Sequence, residues 1–122
     1  MKVKGHVVKG VKHFTHRMTK YRDIFTKASG QELRPGTINV EIDHRIEVRE
    51  DFRIEGWKID EPDQDLIFER CKISGIDAFR IRPLNLKTGL GGHGDHILEV
   101  ASSQEVPNVE EGAKVEIEFF RE

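Results

Sequence analysis

Arg34-Pro35-Gly36-Thr37-Ile38-Asn39-Val40-Glu41-Ile42 is the stretch from which the fold can be read. Pro35 fixes φ and Gly36 admits a positive φ, so the pair spells a tight turn. From Thr37 to Ile42 polar and apolar residues alternate, the period of a half-buried strand. Side chains two apart share a face, which sends Ile38, Val40 and Ile42 to a core and Thr37, Asn39 and Glu41 to the other side. A hydroxyl and an amide carbonyl then stand together at the mouth of a turn. Mg²⁺ accepts such neutral oxygens when a nucleotide's phosphates bring the negative charge. The same pattern also suits a plain turn entering an edge strand with a polar outer face.

Outward from that strand the chain is mostly short β-segments. Val3 to Lys9, Phe52 to Ile54, Leu66 to Ile73, Ala78 to Arg82, His96 to Ala101 and Lys114 to Phe120 all read as strands, with weaker signals at Arg45 to Val48 and Trp57 to Ile59. Phe79 and Ile81 share one face, and Arg80 and Arg82 the other. Seven or so short strands in 122 residues predict an all-β barrel or sandwich, and closure into a barrel removes exposed edges. Ile38, Val40, Phe79, Ile81, Leu98, Val115 and Ile117 are expected in one core.

One helix is predicted. Tyr21, Ile24, Phe25 and Ala28 fall on one face, with Thr19 as N-cap and Gly30 at a left-handed C-cap. The polar, cationic Val11 to Met18 reads as a loop before it. Between Pro83 and Asp95, Gly89, Gly91, Gly92 and Gly94 argue for a loop that has neither a Walker A nor a Rossmann pattern.

Composition fits one domain, residues 1–122, with 34% charged and 36% hydrophobic residues. No apolar run reaches the ~20 residues of a membrane span, and Met1 to Gly5 lacks the apolar stretch of a secretory signal. The single cysteine, Cys71, fits a reducing cytoplasm and a core-filling role. The net charge of −2 conceals a basic first third, with Lys2, Lys4, Lys9, Lys12, Arg17, Lys20, Arg22, Lys27 and Arg34 set against Asp23 and Glu32. Such a lobe suits a polyanionic ligand, and equally a solvated surface. With Phe14 and Tyr21 available for stacking, nucleic acid is one such ligand. His13-x-x-His16 and His93-x-Asp95-His96 match no structural zinc spacing.

Pro35-Gly36-Thr37-Ile38-Asn39-Val40 resembles the Pro-Gly-Thr-Leu-Asn-Val signature of the archaeal-type CTP-dependent riboflavin kinases. Gly5-His6-Val7-Val8-Lys9-Gly10 is similar to that family's first strand and Tyr21-Arg22-Asp23-Ile24-Phe25 to its short helix. Ile81-Arg82-Pro83, Ile97-Leu98-Glu99-Val100 and Glu111-Gly112-Ala113-Lys114-Val115 follow in the family's order. The resemblance implies a six-stranded cradle-loop barrel related to the riboflavin synthase barrel, with one short α-helix. It implies phosphorylation of riboflavin to FMN with CTP as donor, and riboflavin/FMN and CTP/CDP as ligands of a cytoplasmic monomer. It further implies Mg²⁺ on Thr37 and Asn39, and flavin contacts from Glu99 and Thr88. The nucleotide would lie on the segment after the first strand, at Gly10, Val11, Lys12 and His13, with Arg17 beyond. Here the chain departs from the family. Val11-Lys12-His13 stands where a glycine-rich loop is expected, so Lys12, His13 and Arg17 would supply charge in place of glycine amides. The family's Leu-Arg after the glutamate strand is replaced by Ser103-Gln104-Glu105-Val106. No catalytic base is assigned. Two other readings are a non-catalytic flavin- or nucleotide-binding barrel and a nucleic-acid-binding barrel that uses the basic lobe.

Overall fold

The computed structural model describes residues 1–10, 13–87 and 96–121. Among these residues seven strands form one antiparallel sheet: β1 (Lys2–Val8), β2 (Ile38–Ile42), β3 (Phe52–Ile54), β4 (Gln64–Ile73), β5 (Ile76–Asn85), β6 (Ile97–Ala101) and β7 (Lys114–Phe119). Their order is β3-β4-β5-β6-β2-β1-β7, and β4 also pairs with β7. Six strands therefore close into a ring, and β3 is appended outside it. β4 makes this possible by dividing one edge between two partners. Leu66 to Phe68 pair with β3, while Cys71 to Ile73 pair with β7. At the changeover the segment before β3 fills the gap: the Arg49 amide donates to Glu69 Oε1 at 2.9 Å and the Arg70 amide to Asp51 Oδ2 at 2.7 Å. Pro83 sits in β5 opposite Leu66, beyond the Phe79–Ile81 pairing with β6. A residue without an N–H is tolerated where only one neighbouring strand must be served.

Among the described residues two helices precede β2 where one was expected: α1 (His13–Lys20) and α2 (Arg22–Ser29). Thr19 is not a cap but a residue of α1, its hydroxyl bonded back to the Thr15 carbonyl. The N-cap of α2 is Tyr21, with φ −109°, and Gly30 closes the helix in the expected left-handed conformation at φ 75°. The reason is visible in α1 itself. Phe14 and Met18, one helical turn apart, are both buried, so a short apolar face overrides its polar neighbours. Arg45 to Val48 forms no strand, and Trp57 lies in a 3-10 turn, Gly56–Ile59.

The expected single core is two. Val40, Leu98, Val115 and Ile117 belong to a cluster drawn from all six ring strands, the barrel interior, with Ile38 packed against it. Phe79 and Ile81 belong to a second cluster on the outer face, under Phe14, Met18 and Phe25 of the helices. Alternation along β5 had separated Phe79 and Ile81 from Arg80, and the barrel turns Arg80 inward with 0% exposure. Ile81 is fully packed between β5 and the helices, and truncation to Ala should destabilise the fold by ~2–5 kcal/mol in a urea titration. Cys71 fills the interior as expected, and burial pushes its thiol up to about 12.

Candidate functional site

Beneath α1, β2 and β6 lie side by side with Asn39 directly opposite Glu99. Both point to the outer face, since their neighbours Val40 and Leu98 point inward. Directly opposed residues on one face of an antiparallel pair have Cβ atoms roughly 4.5–5.5 Å apart. Both polar groups are nonetheless buried, Asn39 at 4% and Glu99 at 5% exposure.

The Pro35-Gly36 turn delivers Thr37 to the same place. Gly36 has φ 105°, as the sequence required. Asn39 Nδ2 lies 3.4 Å from both the Thr37 carbonyl and the Thr37 hydroxyl. Its Oδ1 is buried and has no hydrogen-bond partner among the described residues. Leaving an amide oxygen buried without a donor costs about 1–3 kcal/mol. A cavity of about 550 Å³ opens at this point, lined by Gly10, Phe14, Thr15, Gly36, Thr37 and Asn39 among others. A second recess of about 290 Å³, bounded by Arg34, Ser102, Gln104 and Glu105, adjoins the other side of Thr37. A side-chain amide and a hydroxyl lining one cavity are neutral oxygen donors of the kind a hard cation such as Mg²⁺ accepts. The amide would have to turn its oxygen toward Thr37 for both oxygens to reach one ion. Among the described residues no three His, Cys, Asp or Glu side chains are grouped to hold a metal by themselves.

Gly10 touches this pair more closely than its sequence position suggested. A Cβ there would fall 2.1 Å from Asn39 Nδ2. Gly10→Ala should therefore displace the amide and weaken whatever Asn39 binds, with β1 pairing intact by circular dichroism. Arg17 is placed differently from the expectation of a nucleotide contact. Its guanidinium bonds Glu61 Oε1 at 2.7 Å and approaches Gln64 Oε1 at 3.4 Å, although its charge also reaches Glu99. Val11, Lys12 and Thr88, with the side chain of His13, lie outside the described residues, as do His93 and Asp95. Phe14 is buried in the outer cluster, and the Tyr21 hydroxyl is bonded to Asp60.

Burial raises the Glu99 carboxyl to about 7, against the pull of Arg82 and Arg17, which favour its ionised form. The folded state thus holds a proton that the unfolded chain releases near 4.5, and stability falls as pH climbs between those values. Below that window the group contributes no difference; above it the cost is on the order of 3 kcal/mol. Glu99→Gln should flatten this part of the pH–melting profile, leaving the contribution of Glu69, whose carboxyl is also raised by burial.

No family model matches the chain, and no curated protein matches it either. The described helices include none long and apolar enough to cross a membrane.

Proposed function

We propose that the protein is a Mg²⁺-dependent riboflavin kinase that transfers a phosphoryl group from a nucleoside triphosphate, CTP by resemblance, to riboflavin. Its ring of six strands would then be a cradle-loop barrel. One observation carries the reading: Thr37 and Asn39, whose Oδ1 has no partner among the described residues, line one cavity, and a buried carboxyl stands opposite Asn39 on the adjacent strand. Phosphoryl transfer asks little covalent work of a protein, which must chiefly position two substrates and neutralise phosphate charge. Thr37 and Asn39 supply the cation's protein ligands, the cavity accepts the phosphates, and Glu99 accepts a hydrogen bond from the flavin. An ionised carboxylate accepts a hydrogen bond more strongly than a protonated one, so riboflavin binding should tighten as pH rises through about 7.

The deciding experiment is calorimetric titration with riboflavin, CTP and ATP, each with Mg²⁺, followed by an assay for FMN. Binding of riboflavin with turnover supports the kinase. Binding without turnover supports a non-catalytic flavin module, and binding of single-stranded nucleic acid alone, with steep salt dependence, would replace both.

A further inference from the structure

A trough of about 620 Å³ crosses the outer face of β1 and β7 and shares no lining residue with the cavity at Asn39. The register gives it its shape. Gly5 pairs with Val115, Lys4 with Glu116 and His6 with Lys114. Val115 points into the barrel, as do Val3 and Val7 on either side of Gly5. The floor is therefore backbone, and the two flanking pairs are the walls. Only glycine fits at position 5, where a Cβ would fall 2.3 Å from the Glu41 carbonyl oxygen and 2.8 Å from Val40 Cγ1. β1 thus lies closer to β2 than a side chain would allow, and the outer surface is recessed above it. The charges around this recess are unevenly matched. Glu116 approaches Lys2 at 3.9 Å, and His6 approaches Glu41 at 3.5 Å. Lys4 and Lys114 have no acidic partner among the described residues. They stand diagonally across the trough, positions whose separation is roughly 7–8 Å and within reach of long side chains.

We propose that this trough binds a phosphate dianion between Lys4 and Lys114, with the Ser74 hydroxyl donating to it from the edge. Ammonium groups on flexible stems, each with three donors, can close on one anion from opposite walls. A single carboxylate would balance only one of them, whereas a phosphate dianion balances both. Ser74 lines the trough from the turn between β4 and β5, and its amide donates to the Glu116 carbonyl at 2.9 Å, which fixes the turn against β7. The trough has room for more than the phosphate itself, and Glu116 can accept hydrogen bonds from hydroxyl groups on a ligand. Free phosphate and a hydroxylated phosphate monoester share the recognised group. The proposal does not depend on the kinase reading.

The test is a titration of inorganic phosphate into the isotope-labelled full chain, followed by amide NMR at constant ionic strength and a pH of about 8, where phosphate is chiefly the dianion. The amides of Gly5, Ser74 and Val115 should shift along a saturating curve with a Kd of about 1 mM or lower. Lys4→Met and Lys114→Met should each weaken binding at least about fivefold, some 1 kcal/mol. Both side chains are exposed, so neither change should alter the melting temperature appreciably. Lys114→Arg should still bind, and so should Asn39→Ala, which separates this trough from the other cavity. Shifts that fail to saturate, that persist in the double Lys4→Met, Lys114→Met variant, or that centre on Asn39 overturn the proposal. Glycerol 1-phosphate distinguishes the two sources. Binding tighter than that of inorganic phosphate, and lost in part by Glu116→Gln, assigns an ester; equal or weaker binding assigns the free ion. A short single-stranded oligonucleotide that shifts these amides when inorganic phosphate does not would replace the site with a nucleic-acid surface.

Discussion

On the proposed kinase reading, Asn39→Ala should lower FMN formation by about two to three orders of magnitude, the scale on which a single preorganised charge-stabilising group acts. The melting temperature should move by only a few degrees. The two effects separate because the side chain is poorly satisfied in the free protein. Its Nδ2 makes only contacts of 3.4 Å, and its Oδ1 is buried without a described partner. Removing the amide forfeits some packing and simultaneously removes a desolvated oxygen, so the net cost to the fold is about 1 kcal/mol or less. The inward-facing Val40 and Ile38 are untouched. Thr37→Val should behave alike. Asn39→Asp should act in the opposite sense on the metal, binding Mg²⁺ measurably without nucleotide because a charged oxygen replaces a neutral one. Full activity in Asn39→Ala would remove the metal assignment and, with it, the main support for phosphoryl transfer.

The placement of Thr37 and Asn39 was legible in part because two local signals agree. Pro35-Gly36 dictates the turn, alternation dictates which residues share a face, and the register then puts Asn39 opposite Glu99. The register is the part no local pattern contains. Nor does alternation say which face of a closed sheet is the inside. In a barrel with helices on its outer surface both faces can be apolar, so Ile81 and Val40 were grouped although they lie on opposite sides of the sheet. Helix α1 was hidden for a different reason. Phe14 and Met18 are its only apolar residues, and Lys12, His13, Thr15, His16 and Arg17 around them read as loop. The close approach of Gly10, just past the end of β1, to Asn39 in β2 joins segments distant in sequence and has no sequence signature at all.

Arg80→Met should cost about 3–5 kcal/mol of stability while sparing the site, because it strips a counter-charge from a carboxylate that cannot leave the barrel. Arg80 faces inward directly across from Glu69, which is itself buried. Two other groups hold the same carboxylate: the Arg49 amide at 2.9 Å and the Arg121 guanidinium at 3.1 Å. Burial raises the Glu69 carboxyl, while the Arg49 amide and the charges of Arg121 and Arg80 oppose the rise. Without Arg80 the carboxyl should rise further. The folded state then retains its proton to higher pH, so the loss of stability grows as pH increases. Urea titrations at pH 6 and pH 8 should show the larger deficit at pH 8. Glu69→Gln keeps an acceptor for the Arg49 amide but removes the charge, so the double variant should recover at least about 1 kcal/mol relative to the sum of the singles. The interior lies on the opposite side of the sheet from Asn39 and Glu99. Ligand binding measured well below the melting temperature should therefore be preserved in all three variants. Strict additivity, or a deficit independent of pH, would mean that Arg80 acts in the barrel by filling volume rather than by charge.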